Sequence, residues 1–174
     1  MRLLRGHGIV RVADVRSIPK SRHVPQFNQE TLEASLRAEG IGYTHVTPLG
    51  GRRHDRKDSV NTGWRNAAFR GYADYMATPQ FAEGLEKLMR LAQAKPTAML
   101  CAEAVPWRCH RSLIADALMV KGWEVRDIVS AAPAALHKPT PFLKVVDGQL
   151  TYPAADNGET PPLFAKGEAA DDRG

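Results

Sequence analysis

Thr97-Ala-Met-Leu-Cys-Ala-Glu-Ala-Val-Pro-Trp-Arg-Cys-His-Arg-Ser-Leu-Ile-Ala-Asp-Ala-Leu118 joins a short apolar run to an amphipathic one through a polar loop. Residues 97–103 have the length and composition of a buried central strand. From about Trp107 the pattern turns helical, with Leu113, Ile114, Ala117 and Leu118 on one face and Gly122 as the stop, before a last strand over Trp123 to Val129. Upstream, Thr78-Pro79 starts a helix in which Phe81, Leu85, Leu88, Met89 and Ala92 share a stripe, ended by Lys95-Pro96. Before that, Ile9 to Val15 and Ile41 to Thr47 read as strands on either side of a helix that Asn28 caps and Gly40 closes; residues 51–70 read as a loop.

Strands alternating with helices require right-handed crossovers and a mainly parallel sheet covered on both faces, a three-layer α/β/α architecture. Val145 to Leu150 adds a small C-terminal hairpin through Asp147-Gly148. The expected organisation is one α/β domain over 1–153 and a flexible acidic tail over 154–174. At 174 residues the chain is long enough to bury a core without disulfides or structural metal. Two cysteines eight positions apart make no disulfide framework, and the first eight residues lack the apolar stretch of a secretory signal. No run is apolar enough to span a membrane, so a cytoplasmic protein without membrane contact is expected. The net charge is +5; the tail carries five acids against two bases, leaving a basic body that attracts phosphate-bearing partners.

In such folds sites gather at the carboxyl ends of the strands. Those ends carry Asp14, Arg16 and Ser17, then Thr47 to Arg53, then Cys101 and Glu103. The densest constellation is Cys101, Glu103, Cys109, His110 and Arg111, because a helix N-terminus favours anions and acidifies thiols. Thiol, carboxylate, imidazole and guanidinium side chains together supply a nucleophile, proton carriers and an anion contact. The spacing from Cys101 to Arg108 is one residue too long for a cysteine-phosphatase loop. No cofactor is expected; zinc or iron on the cysteines and His110 is the lesser alternative, since adjacent Cys109 and His110 would diverge by about 100° on a helix. A second constellation, Arg52 and Arg53 through Arg70 and Tyr72, interleaves basic and aromatic residues that suit phosphates and bases, or forms plain solvated surface.

Asp14-Val-Arg-Ser17, Ser21-Arg22 with Phe27-Asn28, Leu49-Gly-Gly-Arg52, Phe69-Arg-Gly-Tyr-Ala73, and Cys101-Ala-Glu103 with Cys109-His-Arg111 closely resemble the domain of unknown function 488 family, in order, over about residues 9–130. The resemblance implies an α/β domain, a catalytic or ligand site among those polar residues, and an association with DNA repair. Relatives open with a strand and helix ahead of the equivalent of Ile9. The expectation is therefore a truncated start, an exposed sheet edge and a tendency to aggregate. Two functions stay open: an enzyme on a nucleotide or nucleic acid, with Arg16, Arg52, Arg70 and Arg111 on phosphate, or a non-catalytic nucleic-acid-associated module with structural or metal-binding cysteines. In the tail, Leu163-Phe164 resembles a sliding-clamp docking peptide.

Overall fold

The computed structural model describes residues 1–155; Leu163, Phe164 and most of the acidic tail lie outside the described residues. Strand β1 (Arg11–Asp14) is central, flanked by β2 (Gly42–His45) and β3 (Thr97–Leu100), all parallel, in the order β2-β1-β3. Asp14 pairs with His45 on one side and Leu100 on the other, so the three strands end level at one edge of the sheet.

Side chains alternate along β1, and the core divides accordingly. Val12 packs with Leu32 and Leu36 of helix α2 (Gln29–Ala38), with Ile41, and with Leu4 of the short α1 (Arg2–Gly6). Ala13 and Val15 face the larger cluster, built from α3 (Ala67–Tyr75), α4 (Pro79–Ala94) and α5 (Arg111–Val120). Leu113 and Ile114 of α5 are fully buried there, each contributing about 1.5–3 kcal/mol of apolar burial. The expected three layers are present.

Four expectations need correction. Residues 97–103 are not a central strand: β3 stops at Leu100 and lies at an edge, its residues half-buried. An apolar run reports burial, not position in the sheet. Residues 51–70 are not all loop, because α3 starts at Ala67, where the Asn66 side chain accepts from the Ala68 and Phe69 N–H groups at 2.8 and 3.4 Å. Its mid-helix Gly71, which weakens the helical signal, is needed sterically: a Cβ there would lie 2.5 Å from the His54 carbonyl carbon. Asn28, expected to cap α2 in this way, instead accepts the Ser21 N–H at 2.6 Å. Finally, Trp123 to Val129 does not join the sheet. Only β4 (Arg126–Asp127) forms there, pairing antiparallel with β5 (Ala135–Leu136).

The hairpin forms as expected, β6 (Lys144–Val146) against β7 (Gln149–Thr151), with Asp147 and Gly148 both at positive φ. The C-terminal segment is tied to α5 through Asp116. This buried carboxylate accepts from the Thr140 N–H at 3.1 Å, the Thr140 hydroxyl at 2.7 Å and the Tyr152 hydroxyl at 3.0 Å, and meets His137 Nε2 at 3.3 Å. His137 Nδ1 lies 3.1 Å from Asp127. Among the described residues no helix is long and apolar enough to cross a membrane.

Candidate functional site

Because β1, β2 and β3 run parallel, the loops that follow them leave the same edge, and hydrogen bonds knit them together. The loop after β3 ends in a single 3-10 turn, Pro106–Arg108. Cys109 follows in an extended conformation (φ −134°, ψ 147°), and His110 immediately precedes α5. The expectation that Cys109 and His110 sit in the first helical turn, diverging by about 100°, is thereby overturned. With Cys109 extended, both side chains turn toward Cys101 at the end of β3.

His110 Nδ1 lies 3.8 Å from Cys101 Sγ and 3.6 Å from Cys109 Sγ, and the three atoms are all within 4.8 Å of one another. The other ring nitrogen, Nε2, is 3.0 Å from the Val15 carbonyl oxygen at the end of β1. A carbonyl only accepts, so Nε2 donates there, and Nδ1 is the ring nitrogen turned toward the sulfurs. The ring is boxed in from a third side: a Cβ on Gly51 would lie 2.3 Å from Nδ1, so only glycine lets the loop after β2 close over the imidazole. That loop is pinned by the Arg52 N–H donating to Ser17 Oγ at 2.9 Å.

The two thiols share their protons unequally. A hydrogen bond from Cys101 holds Cys109 down to about 6, against burial, and the Arg111 backbone N–H and guanidinium add to the effect. Cys101 is pushed up to about 12, first by donating to Cys109 and then by burial. The pair therefore carries one proton and one negative charge, with the charge on Cys109 beside Arg111. Cys109 is 2% exposed, whereas Cys101 and His110 are half-buried.

The remaining expected site residues divide clearly. Arg111 stands at the cluster, but its Nη2 donates to the Glu103 carbonyl at 2.5 Å rather than being free for an anion. Glu103 contributes that backbone oxygen. Its side chain is exposed and makes no hydrogen bond among the described residues, so it does not join the thiols and imidazole. Arg16 is not available to phosphate. Its Nε and Nη2 grip the buried Asp14 carboxylate at 2.5–3.0 Å, and its Nη1 donates to the Phe27 carbonyl at 2.8 Å. Burial works against charge on Asp14, but hydrogen bonds from Arg16 and Tyr43 prevail and lower its pKa. Arg70 is engaged by Asp55 at 2.6 Å. Tyr72 has no exposed surface with which to stack on a base: its hydroxyl donates to the Leu49 carbonyl and its ring lies 4.9 Å from that of His110. Arg53 lies over the Tyr75 ring at 3.7 Å, and Arg52 keeps an exposed side chain.

Sequence reasoning misses Val15, whose part is a backbone oxygen, and Gly51, whose part is an absent side chain. Trp107 was read as a helix start; it is instead a 69% exposed indole two residues from Cys109. Two cavities among the described residues, about 330 and 340 Å³, are lined by none of the three clustered residues; the first runs along the outer edge of β3 and touches Arg111. The Nε atoms of Arg53 and Arg111 are buried without a hydrogen-bond partner.

A family model described as "Domain of unknown function DUF488" matches residues 1–118, which take in β1, β2, β3 and most of α5. No curated protein and no solved structure matches the chain.

Proposed function

The chain belongs to the DUF488 family, and we propose that it is a metal-dependent enzyme acting on a phosphate-bearing nucleotide or nucleic acid, with Cys101, Cys109 and His110 as the three protein ligands. One observation supports the reading: the three donor atoms lie within 4.8 Å of one another, with S to N separations that suit a shared ion. Two thiolates and an imidazole at ordinary zinc distances in a tetrahedron are separated by edges of about 3.6 Å (S to N) and about 3.8 Å (S to S). The two S to N separations here are 3.6 and 3.8 Å.

The donor set supports zinc first and iron second. The Nε2–H to Val15 carbonyl bond is the contact that orients a ligating histidine and raises its basicity. When bound, a divalent ion with three protein ligands supplies a Lewis acid and an acidified water. Around it Val15 and Gly51 hold the imidazole in place, and Arg111 offsets the charge of the thiolates. His110 is then a ligand rather than a proton carrier, and Glu103, whose side chain stands apart from the cluster, is not assigned that role. A free-thiol nucleophile is less well supported, because the acidified sulfur, Cys109, is the sealed one.

The test is metal content by plasma mass spectrometry on protein purified without chelator, with cobalt(II) substitution read by its sulfur-to-metal absorption. About one ion per chain is expected, with loss on Cys101→Ser, Cys109→Ser or His110→Ala. Under reducing conditions, metal-free protein that takes up neither zinc, iron nor cobalt refutes the proposal.

A further inference from the structure

We infer that the rim formed by the loops after β1, β2 and β3 binds single-stranded nucleic acid, with the Trp107 indole stacking on a base and Arg22, Arg52 and Arg108 contacting backbone phosphates. This names the substrate class of the centre proposed above, and it rests on that reading only for what is done to the bound strand.

The first support is how charge is distributed. Residues 15–28, 46–54 and 101–111 contain Lys20, Arg22, Arg52, Arg53, Arg108 and Arg111, besides the Arg16 already consumed by Asp14, and the acid Glu103; further along the loop after β2, Asp55 and Asp58 pair with Arg70 and Arg56. Elsewhere the described arginines are largely neutralised: Arg5, Arg37, Arg56, Arg70, Arg90 and Arg126 each have a carboxylate partner. None of the rim arginines just named has one among the described residues. The edge where all three strands end therefore carries a group of basic side chains without carboxylate partners, while Arg2, Arg11, Arg65 and several lysines lie unpaired elsewhere among the described residues. Such a field draws polyanions and loses strength as salt is raised.

The second support is Trp107. This indole is 69% exposed, in a 3-10 turn that a buried Pro106 starts and a buried Cys109 follows. Its neighbour Arg108 is exposed. An aromatic face beside an unpaired cation is the recurring element of single-strand binding, where bases stack and phosphates are neutralised. A duplex offers no free base face to such a ring.

The third support is shape. Neither the cavity along β3 nor the one beside α4 and the C-terminal hairpin takes in the cluster, and the side chains of Arg52, Trp107 and Arg108 are exposed. An open rim suits a strand laid across it. The rim is also ordered in advance, since Ser17 pins Arg52, Val15 pins His110, and Gly51 closes on His110.

The experiment uses the full chain and a fluorescein-labelled oligothymidylate of about twelve nucleotides, within the site sizes such surfaces cover, read by anisotropy at several salt concentrations. Trp107→Ala is expected to weaken binding about 5- to 150-fold, while Trp107→Phe retains most of it. Arg52→Ala and Arg108→Ala should each reduce the slope of log K against log salt by about 0.7. Unlabelled oligomer should quench tryptophan emission in the natural chain and not in Trp107→Phe. Unchanged binding in all three alanine variants overturns the inference, as does equal affinity for duplex, or binding to phosphatidylserine vesicles in place of the oligomer. Metal content measured on the same samples separates the two proposals. Protein that holds metal and ignores the oligomer refutes only the rim; protein that binds the oligomer without taking up metal refutes only the centre.

Discussion

Replacing Gly51 with alanine tests whether the loop after β2 closes on the imidazole as described. The added Cβ would lie 2.3 Å from His110 Nδ1 and 2.7 Å from Cε1 and Cγ. Unstrained carbon contacts begin about 3.5 Å apart, so about 1.2 Å must be opened between two parts that are both anchored. The ring is held at Val15 by a 3.0 Å hydrogen bond, and the loop at Ser17 by one of 2.9 Å. Overpacking of this kind costs about 1–3 kcal/mol, which for a chain of this size lowers the melting temperature by about 2–12 °C. If the ring yields, Nδ1 leaves the sulfurs. Loss of comparable supporting contacts at metal sites costs about 10–100-fold in affinity. Thermal melting in chelator isolates the steric cost, and cobalt titration isolates the ligand displacement. A Gly51→Ala protein that melts with the natural chain and binds cobalt equally well would show that the loop does not press on His110.

Arg16→Ala should destabilise the fold by about 3–5 kcal/mol in urea denaturation, since it strands the Asp14 carboxylate in the core; a loss below about 1 kcal/mol would contradict that. His137 has its pKa raised, first by the bond to Asp116, against burial, and further by Asp127. Its folded value exceeds the unfolded one, so its stabilisation is complete below the ordinary histidine pKa of about 6.5 and fades as pH rises through the folded value. Melting curves should record that decline above pH about 6.5 in the natural chain and a shallower one in His137→Gln; parallel profiles would remove His137 as the cause. Asn66→Ala removes the cap that starts α3 and should cost about 0.5–2 kcal/mol by chemical denaturation. No change there would mean that packing of Tyr72 and Ala73 alone holds the helix end.

Legibility in the sequence followed the range of the forces involved. Helix α4 was readable because Thr78, Pro79 and a stripe of Phe81, Leu85 and Leu88 act within one segment. The Asp147-Gly148 turn was equally local, since its conformation is set by its own residues. Helix α3 was hidden because Gly71 weakens the pattern for the sake of a contact with His54, seventeen positions away. Cys101, Cys109 and His110 were legible as chemistry through residue type and proximity in the chain. The spacing argument against their joint ligation failed, because it assumed a helix where Cys109 is extended.

What the sequence alone determined is the inventory and its layering: a parallel α/β sheet, a basic body, and reactive side chains at strand ends, all consequences of periodicity and composition. What only the tertiary structure decided is which of those side chains remain available. Arg16 and Asp14 cancel each other inside the sheet, Arg70 is spent on Asp55, and Tyr72 is sealed, while Arg52, Arg108 and Trp107 stay open. The physical reason is that a charge or ring does chemistry with an outside molecule only when no internal partner has satisfied it. Internal partners here come from far along the chain, as the Val15 carbonyl does for His110 across 95 positions, a pairing that no local reading of the chain contains.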